Sequence, residues 1–347
     1  MNLNKLILKW YDKNKRDLPW RKTKNPYNIW ISEIILQQTR MEQGIYYYKR
    51  FISKFPDLQS LATSEEKDIL LLWQGLGYYS RARYLHHTAK YLYYDLDSKF
   101  PESYKELVNL KGIGDYTASA ILSICFEKKY PVLDGNVFRI ISRIFGIKDP
   151  IDLNNSRKVF KKKAIELLPS SRYGDYNQGL MDFGSMVCRP KNPSCSNCLI
   201  SKKCIAYKNQ IVDLLPVKAK KNKIKTLYFE YLVVNNKNKI LIERVEDGIW
   251  KNLYQFPVNI STSKKNKSEI RKFFIDKFNL EALDLKSINS EYIEHKLTHI
   301  IIKSTFWFTN EKIYNDKGVF TTLLEDYPMS KLMHNFIEKY RSKFAFS

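Results

Sequence analysis

The sequence predicts a mainly α-helical protein that carries a smaller α+β domain at its carboxyl end. Apolar residues recur at helical spacing through residues 1–207, whereas strand-like runs begin only after a lysine-rich segment, VKAKKNKIK, at 217–225. The chain has 347 residues, which is enough for two or three domains with ample cores. We therefore expect a helical domain at 1–207, a solvated basic linker at 208–225 and a second domain at 226–347.

The individual elements follow from the same patterns. In the first part, helices are predicted at 2–13, 29–39, 42–54, 65–73, 80–95, 102–110, 115–126, directly after Asp134, at 154–168 and at 175–187. In the second part, strands are predicted at 226–235, 239–245, 287–294 and 298–309, with helices near 267–279 and 331–341.

The composition indicates a polyanionic partner. A formal net charge of +23 is far beyond what solubility needs, so we expect nucleic acid before membrane. No segment resembles a transmembrane span. The amino-terminal stretch is not a signal peptide, because Leu3, Leu6, Ile7 and Trp10 fall on one helix face.

A glycine pair lies between two of the predicted helices. Gly112 and Gly114 in LKGIGDYTASAIL allow a tight turn whose N–H groups face outward at a helix start, which favours an anion such as phosphate. Asp134 follows, immediately before an apolar run at helical spacing. An ordinary turn and a simple N-cap are the alternative interpretations of these residues.

Glu33 occupies an otherwise apolar helix face. It lies four residues after Ile29, three after Trp30 and three before Leu36. Burial would raise its pKa and prepare a general acid, although a buried glutamate paired with an arginine would look the same in sequence. Gln37 and Gln38, at the end of this helix, could reach a base edge or only solvent.

A second glycine turn, GLGYYSRAR at 75–83, mixes aromatic and basic residues. Tyr78, Tyr79, Arg81 and Arg83 suit stacking on bases and contacts with phosphates. Because the chain is rich in tyrosine, Tyr79 is equally compatible with a core position.

Four of the five cysteines crowd into seventeen residues. They read Cys188-x6-Cys195-x2-Cys198-x5-Cys204, while Cys125 lies alone in an apolar helix. This usage favours a metal site over disulfides. The spacing alone is compatible with zinc and with a [4Fe–4S] cluster.

The hairpin LKGIGDYTASAIL, the stretch VLDGNVFRI and the cysteine spacing together resemble the helix-hairpin-helix DNA glycosylases of the endonuclease III superfamily. Within it, LPWRKTKNPYNIWISEIILQQTR and WQGLGYYSRAR are similar to the adenine DNA glycosylases of the MutY type, and the resemblance covers residues 3–207. It implies one [4Fe–4S] cluster held by Cys188, Cys195, Cys198 and Cys204. It also implies two lobes, 20–133 and 1–19 with 134–207, with the active site between them.

The resemblance also implies roles for the site residues. Glu33 would protonate adenine at N7, and Asp134 would stabilise the oxocarbenium-like sugar by charge or by covalent attachment. Tyr116 and Asn136 would orient these two carboxyl groups. The remaining implied contacts are with DNA: Leu18 and Arg21 line the pocket, Gln38 and Tyr78 enter the duplex, and the amides at Gly112 and Gly114 hold a phosphate.

The residue type at position 116 distinguishes subfamilies of these glycosylases. Bifunctional relatives place a Schiff-base lysine two residues after the second hairpin glycine, where this chain has Tyr116. A phenol cannot form an imine with the sugar, so strand cleavage by that route is not expected.

The second domain resembles the Nudix-like domain of the same glycosylases, most clearly at GIWKNLYQFP. The acidic helix of an active Nudix hydrolase is absent from 265–279, so we expect recognition rather than a second activity. The family's Phe-Ser-His loop, which senses 8-oxoguanine, appears here as Leu297, Thr298 and His299. A polar strand edge is the alternative interpretation.

The sequence thus predicts a monofunctional adenine DNA glycosylase for base-excision repair, acting on double-stranded DNA with adenine opposite 8-oxoguanine or guanine. We expect a monomer in the bacterial cytoplasm, associated with the nucleoid when bound to DNA and not with a membrane. Two rivals are an endonuclease III-like enzyme and a catalytically silent DNA-binding iron–sulfur protein. Tyr116 and the carboxyl-terminal domain argue against the first, and the intact Glu33, Tyr116 and Asp134 argue against the second.

Overall fold

The computed structural model describes residues 2–219, 224–315 and 317–343. Part of the predicted linker, residues 220–223, lies outside this described part of the chain. The helices in chain order are α1 Leu3–Asn14, α2 Pro26–Leu36, α3 Met41–Lys54, α4 Leu58–Ala62, α5 Glu66–Trp73, α6 Ser80–Tyr94, α7 Tyr104–Asn109, α8 Asp115–Cys125, α9 Gly135–Phe145, α10 Asn154–Leu167, α11 Tyr173–Met186, α12 Ile205–Lys208, α13 Lys267–Phe278 and α14 Lys331–Tyr340.

The strands all follow the first twelve helices. They are β1 Lys225–Asn236, β2 Lys239–Arg244, β3 Tyr254–Gln255, β4 Val258–Ser261, β5 Lys286–Ser287, β6 Ile293–Lys296, β7 Ile300–Thr309 and β8 Gly318–Thr321. A helical part followed by an α+β part is therefore observed, as the sequence predicts.

Residue contacts divide the chain into two compact units. One comprises Met1–Thr63 with Tyr84–Lys220, and the other comprises Ser64–Arg83 with Lys221–Ser347. This division assigns α5 and the turn at 75–79 to the unit that contains the sheet. The sequence-based boundaries at 207 and 225 stay a prediction.

The core of the helical unit brings the ends of a long stretch of chain together. Leu3 and Ile7 of α1 pack in one cluster with Ile140 of α9 and with Tyr176 and Phe183 of α11. The Asn4 side chain also bonds the Leu168 carbonyl, 164 residues away. Burying the apolar face of α1 stabilises the fold by roughly 1.5–3 kcal/mol per large side chain.

In the other unit, the long strand β1 organises the sheet. It pairs in parallel with β7, from Lys225 opposite Ile300 to Val234 opposite Thr309, and antiparallel with β2 and β4. Helix α13 packs on the sheet through Ile270 and Phe274. Its N-cap, Asn266, forms a capping box with Glu269, which explains why the helix begins there.

Residues 64–83 are tied to this sheet by hydrogen bonds. Tyr79 is buried and donates its hydroxyl to the Met329 carbonyl at 3.1 Å, so the core interpretation of Tyr79 is correct. The Arg83 guanidinium bonds the Lys251 carbonyl at 2.7 Å.

Two strand predictions are wrong in detail. Residues 287–294 do not form one strand, because the buried Asn289 amide takes the place of backbone partners. Its Oδ1 accepts the Phe306 N–H at 2.8 Å, and its Nδ2 donates to the Glu291 carbonyl at 2.7 Å. Strand β7 begins at Ile300 rather than 298, because the Leu297 N–H donates to the Ile300 carbonyl and closes a turn.

Helix α2 is also displaced from its predicted bounds of 29–39. It begins at Pro26 because the Asn25 side chain caps the Tyr27 N–H at 2.9 Å and proline suits the first turn. It ends at Leu36, and Gln38 follows with a left-handed φ of 56°. Among the described helices, none is long and apolar enough to cross a bilayer.

Candidate active site

Glu33 lies on a helix that is buried along most of its length. Its neighbours Ile29, Trp30 and Ile34 are at most 3% exposed, and Glu33 itself is 6% exposed. A carboxyl group in such surroundings loses most of its hydration, which disfavours its charged form. Burial accordingly raises the pKa of Glu33 to about 7, assisted by Asp134 and opposed by the Tyr116 hydrogen bond and by Arg21.

Tyr116 reaches Glu33 from the predicted hairpin. Helices α7 and α8 flank a turn in which Gly112 has φ +84°, a left-handed conformation that favours glycine, and Gly114 is the N-cap of α8. This turn places Tyr116 in the first turn of α8. Its hydroxyl donates to Glu33 Oε2 at 2.6 Å and lies 3.5 Å from the Met181 sulfur.

Asp134 begins helix α9 and is held at both oxygens. Its Oδ1 accepts the Val137 N–H at 2.7 Å and its Oδ2 accepts the Asn136 Nδ2 at 2.7 Å. Asp134 is therefore the N-cap of α9, as the alternative interpretation of the sequence predicted. Burial raises its pKa, while these two bonds and the Arg139 charge favour the ionised form.

A cavity of about 190 Å³ joins these groups within the helical unit. Both carboxyl groups line it, one from α2 and one from the start of α9. Its walls comprise Arg16, Leu18, Trp20, Arg21, Ile29, Glu33, Leu36, Thr39, Met41, Tyr116, Ile124, Asp134, Asn136, Gln178 and Met181. The structure thus brings six predicted site residues together: Leu18, Arg21, Glu33, Tyr116, Asp134 and Asn136.

A buried carboxylate fixes the two arginines of the cavity wall. Asp182 is fully buried, and Arg21 bonds its two oxygens at 2.6 and 3.0 Å. Arg16 bonds Asp182 Oδ1 as well, through Nε at 2.7 Å and through Nη2. Arg21 therefore lies in the cavity wall with its guanidinium bonded to Asp182. Glu33 is hydrogen-bonded by Tyr116 instead.

Helix α9 links the cavity to the cysteine segment through Arg139. Its Nη2 donates to Asn136 Oδ1 at 2.8 Å and to the Gly184 carbonyl at 2.7 Å, and its Nε donates to the Cys188 carbonyl at 2.8 Å. A Cβ atom at Gly184 would approach the Asn136 Cβ to 2.6 Å, so glycine permits α11 to pass this close. Asn136 is thereby fixed between Asp134 and Arg139.

The four clustered cysteines line a second cavity, together with Arg143. Arg143 lies four residues after Arg139 on the same helix, and its Nη1 is 3.4 Å from Cys188 Sγ and 2.8 Å from the Arg189 carbonyl. None of these thiols is in a disulfide. Among the described residues, no three or more His, Cys, Asp or Glu side chains form a group that could hold a metal ion.

The remaining predicted site residues lie outside the cavity that the two carboxyl groups line. Gln38 is exposed after the end of α2, and Gly112 and Gly114 form the hairpin turn. In the sheet-containing unit, Tyr78 is 48% exposed and its hydroxyl lies 2.7 Å from the Thr298 hydroxyl. Thr298 and His299 occupy the turn between β6 and β7 and not a strand edge.

Sequence reasoning missed several residues that shape the site. Asp182 stands in an apolar helix, the same signal that identified Glu33. Arg139 follows Asn136 by three residues, which places both on one helix face. No sequence pattern marks Asn177 as important. Its side chain donates to the Tyr130 carbonyl at 2.8 Å and accepts the Val132 N–H at 3.2 Å, and these bonds fix the segment before Asp134.

Comparisons with known proteins agree with this arrangement. Residues 31–169 match the family model of the "HhH-GPD superfamily base excision DNA repair protein". An adenine DNA glycosylase of Buchnera aphidicola subsp. Schizaphis graminum is 42% identical over 86% of this chain and 85% of its own length.

Solved structures share the helical fold. A thermostable thymine-DNA glycosylase is 32% identical, with a TM-score of 0.55 over 59% of this chain and 95% of its own. A non-covalent endonuclease III–DNA complex matches in fold, at 19% identity, with a TM-score of 0.52 over 60% of this chain and 94% of its own. The chain belongs to the adenine DNA glycosylases, within the helix-hairpin-helix superfamily of base-excision repair proteins.

Proposed function

We propose that the protein hydrolyses the N-glycosidic bond of adenine mispaired with 8-oxoguanine or guanine in duplex DNA and leaves the strand intact. The observation that carries this proposal is one cavity holding two carboxyl groups in contrasting surroundings. Glu33 is bonded by a phenol among apolar side chains, whereas Asp134 accepts two amide N–H groups. Such a pair supplies one acid and one anion for a glycosidic bond.

Glu33 acts as the general acid. Because Tyr116 donates to Oε2, the transferable proton is carried by the other oxygen of the carboxyl group. A pKa of about 7 keeps a substantial fraction of Glu33 protonated at neutral pH. Protonation of N7 turns adenine into a neutral leaving group once the base has left the stack and entered the cavity.

Asp134 acts as the anion that faces the developing positive charge of the sugar. The helix N-terminus and the Asn136 amide favour its ionised form against burial. Water then attacks the sugar, or Asp134 attaches to it first and water releases it. Tyr116 carries no amine, so the enzyme forms no Schiff base at this position and does not cut the strand by that route.

The DNA contacts lie outside the cavity. Gln38 and Tyr78 are exposed side chains that enter the duplex, while the amides at Gly112 and Gly114 hold a backbone phosphate without reading sequence. Thr298 and His299 recognise the 8-oxoguanine from a Nudix-like domain. The Tyr78–Thr298 hydrogen bond supports this assignment, because it places a stacking ring next to a hydroxyl donor within one unit.

The cysteine cavity suits one [4Fe–4S] cluster. Its donors are four thiols without disulfides, and the Arg143 guanidinium beside Cys188 balances the negative charge of a thiolate set. A four-iron cluster binds its thiolates at four separate irons, so the four sulfurs need not converge on a single ion. When bound, the cluster supplies a rigid and redox-active centre. Cys188, Cys195, Cys198 and Cys204 would hold it, and Arg139 connects the Cys188 backbone to Asn136.

The protein is proposed to act as a cytoplasmic bacterial monomer on double-stranded DNA. The deciding experiment incubates it with a duplex carrying adenine opposite 8-oxoguanine and measures free adenine by chromatography. Duplexes with adenine opposite thymine and thymine opposite guanine are the controls. Release of adenine from the first duplex alone is expected, whereas release of thymine or direct strand cleavage would contradict the proposal.

A further inference from the structure

Helix α10 carries cations that the catalytic mechanism does not use. Five of its fourteen residues are basic, against the single acid Glu166. Ser156, Phe160 and Ala164 form its buried stripe. Its basic residues therefore line the outer faces of the helix.

Four of these cations form one continuous ridge. Arg157, Lys158, Lys161 and Lys162 stand at positions i, i+1, i+4 and i+5, which are neighbours on a helix surface. Arg157, Lys158 and Lys162 are exposed. Among the described residues, hydrogen bonds and ion pairs are found for Lys161 and for the fifth cation, Lys163, but not for these three.

The ridge adjoins the helix start proposed to hold a phosphate. Lys161 Nζ bonds Asp115 Oδ1 at 2.9 Å, and Asp115 is the first residue of α8, directly after Gly114. The Tyr104 hydroxyl donates to the same oxygen at 2.7 Å. Burial raises the pKa of Asp115, but the Tyr104 and Lys161 hydrogen bonds outweigh it and hold the pKa below the ordinary value.

This pairing has an electrostatic consequence. An unpaired carboxylate at the first turn of α8 would repel a phosphate at the hairpin amides. Lys161 compensates that charge together with Arg157, whose charge also acts on Asp115, while the exposed Lys158 and Lys162 add to the same positive surface. We infer that this ridge is a second backbone-binding surface, which contacts phosphates of the same duplex beyond the one held by the hairpin.

The inference rests on the proposed action on duplex DNA, and its test is separate from catalysis. The triple variant R157Q/K158Q/K162Q removes three exposed charges and leaves the Lys161–Asp115 pair intact. Binding to an undamaged duplex is measured by fluorescence anisotropy between about 50 and 200 mM salt. Each lost phosphate contact reduces the slope of log K against log salt by about 0.9, so a reduction of roughly 2–3 is expected.

A matched control tests whether the effect belongs to this site. Lys267, Arg271 and Lys272 of α13 are exposed and reproduce the spacing of the ridge in reverse order, so K267Q/R271Q/K272Q removes the same charge. An unchanged slope in the control and a reduced one in the α10 variant support the ridge. Equal slopes in the two variants, or an unchanged slope for the α10 variant with native circular dichroism, overturn it.

A second measurement separates this inference from the proposed function. With enzyme saturating over the mispaired duplex, the α10 variant should release adenine at the parent rate, because the ridge contacts no reacting group. The single variant Lys162→Gln should lower the slope by about 1. Failure of the parent protein to release adenine would refute the proposed function, while the salt dependence on undamaged DNA would still decide the ridge.

Discussion

The hydroxyl of Tyr116 donates a 2.6 Å hydrogen bond to Glu33, although the two residues lie 83 positions apart in the chain. The bond joins a buried helix to the first turn of the hairpin's second helix. It therefore couples the orientation of the proposed acid to the element proposed to bind the DNA backbone.

Glu33→Gln should reduce adenine release by about 10²–10⁴-fold, because the amide keeps the shape of the side chain but has no transferable proton. Single-turnover kinetics with the mispaired duplex measure this. Affinity for the duplex should persist, since phosphate contacts supply most of it. Near-parent rates in this variant would show that Glu33 is not the acid.

The free energy of unfolding should depend on pH through the ionisation of Glu33. Its pKa is about 7 in the folded protein and 4.5 as an ordinary side chain, so the folded state binds the proton more tightly. This contribution to stability is complete below about pH 4.5 and is lost as the pH rises through about 7, on the order of 3 kcal/mol in total.

Glu33→Gln should therefore melt at a higher temperature than the parent at pH 8, and by a smaller margin at pH 5. Calorimetry at the two pH values measures the margins. The exposed Glu42→Gln serves as the control and should give equal margins. Equal margins for Glu33→Gln would contradict the raised pKa.

Tyr116→Lys should gain a borohydride-trapped protein–DNA adduct, because its amine would meet the anomeric carbon after the base has gone. Base excision should be slower, since the hydrogen bond to Glu33 is lost. Tyr116→Phe is the matched control, with the same loss of the bond and no amine, and should give no adduct. An efficient adduct from the parent protein would instead favour the endonuclease III-like rival.

Replacing Thr298 and His299 together with alanine should weaken the preference for 8-oxoguanine over guanine opposite adenine. Loss of one or two hydrogen bonds corresponds to roughly 1–3 kcal/mol. The ratio of excision rates on the two duplexes measures the effect, and Ser290→Ala, at an exposed position outside this turn, is the control. Unchanged discrimination would move the recognition to another loop.

Arg139→Gln should lower both adenine release and iron content, because the three bonds to Asn136, Gly184 and Cys188 share one guanidinium. Arg139→Lys should restore little of the activity or the iron content, since an ammonium group cannot reproduce the planar set of donors of a guanidinium. Iron analysis and single-turnover kinetics provide the two readouts. The exposed Arg271→Gln, on α13, is the control. A variant that loses activity with full iron content would restrict the role of Arg139 to Asn136.

The sequence predicted the parts of the site that follow from local patterns. Glu33 stood out as a carboxyl on an apolar face, and Asp134 as an acidic residue before an apolar helix. No local spacing relates α2 to α8, so the Tyr116–Glu33 bond follows from no local pattern and only the resemblance implied that Tyr116 orients a carboxyl group. Asp182 and Arg139 were missed for a related reason. Asp182 pairs with Arg16 and Arg21, more than 160 positions earlier in the chain, and Arg139 bonds the carbonyls of Gly184 and Cys188, which lie on another segment.

The strand errors have the same origin. Residues 287–294 alternate well enough to suggest a strand, yet the Asn289 side chain bonds the backbone of β7 and interrupts it. The competing partner is a tertiary contact. Local propensity therefore predicted correctly that the second part contains both strands and helices, but it predicted the wrong extent of the strands.

The packing of α1 against α11 also affects how the protein is made. During synthesis, the apolar face of α1 leaves the ribosome long before its partner helix, since Asp12 pairs with Arg172 at a separation of 160 residues. The nascent chain must keep that face exposed until α11 has been translated. A chain truncated before α11 would therefore yield an aggregation-prone fragment, and it would also lack Gln178 and Met181 of the cavity wall.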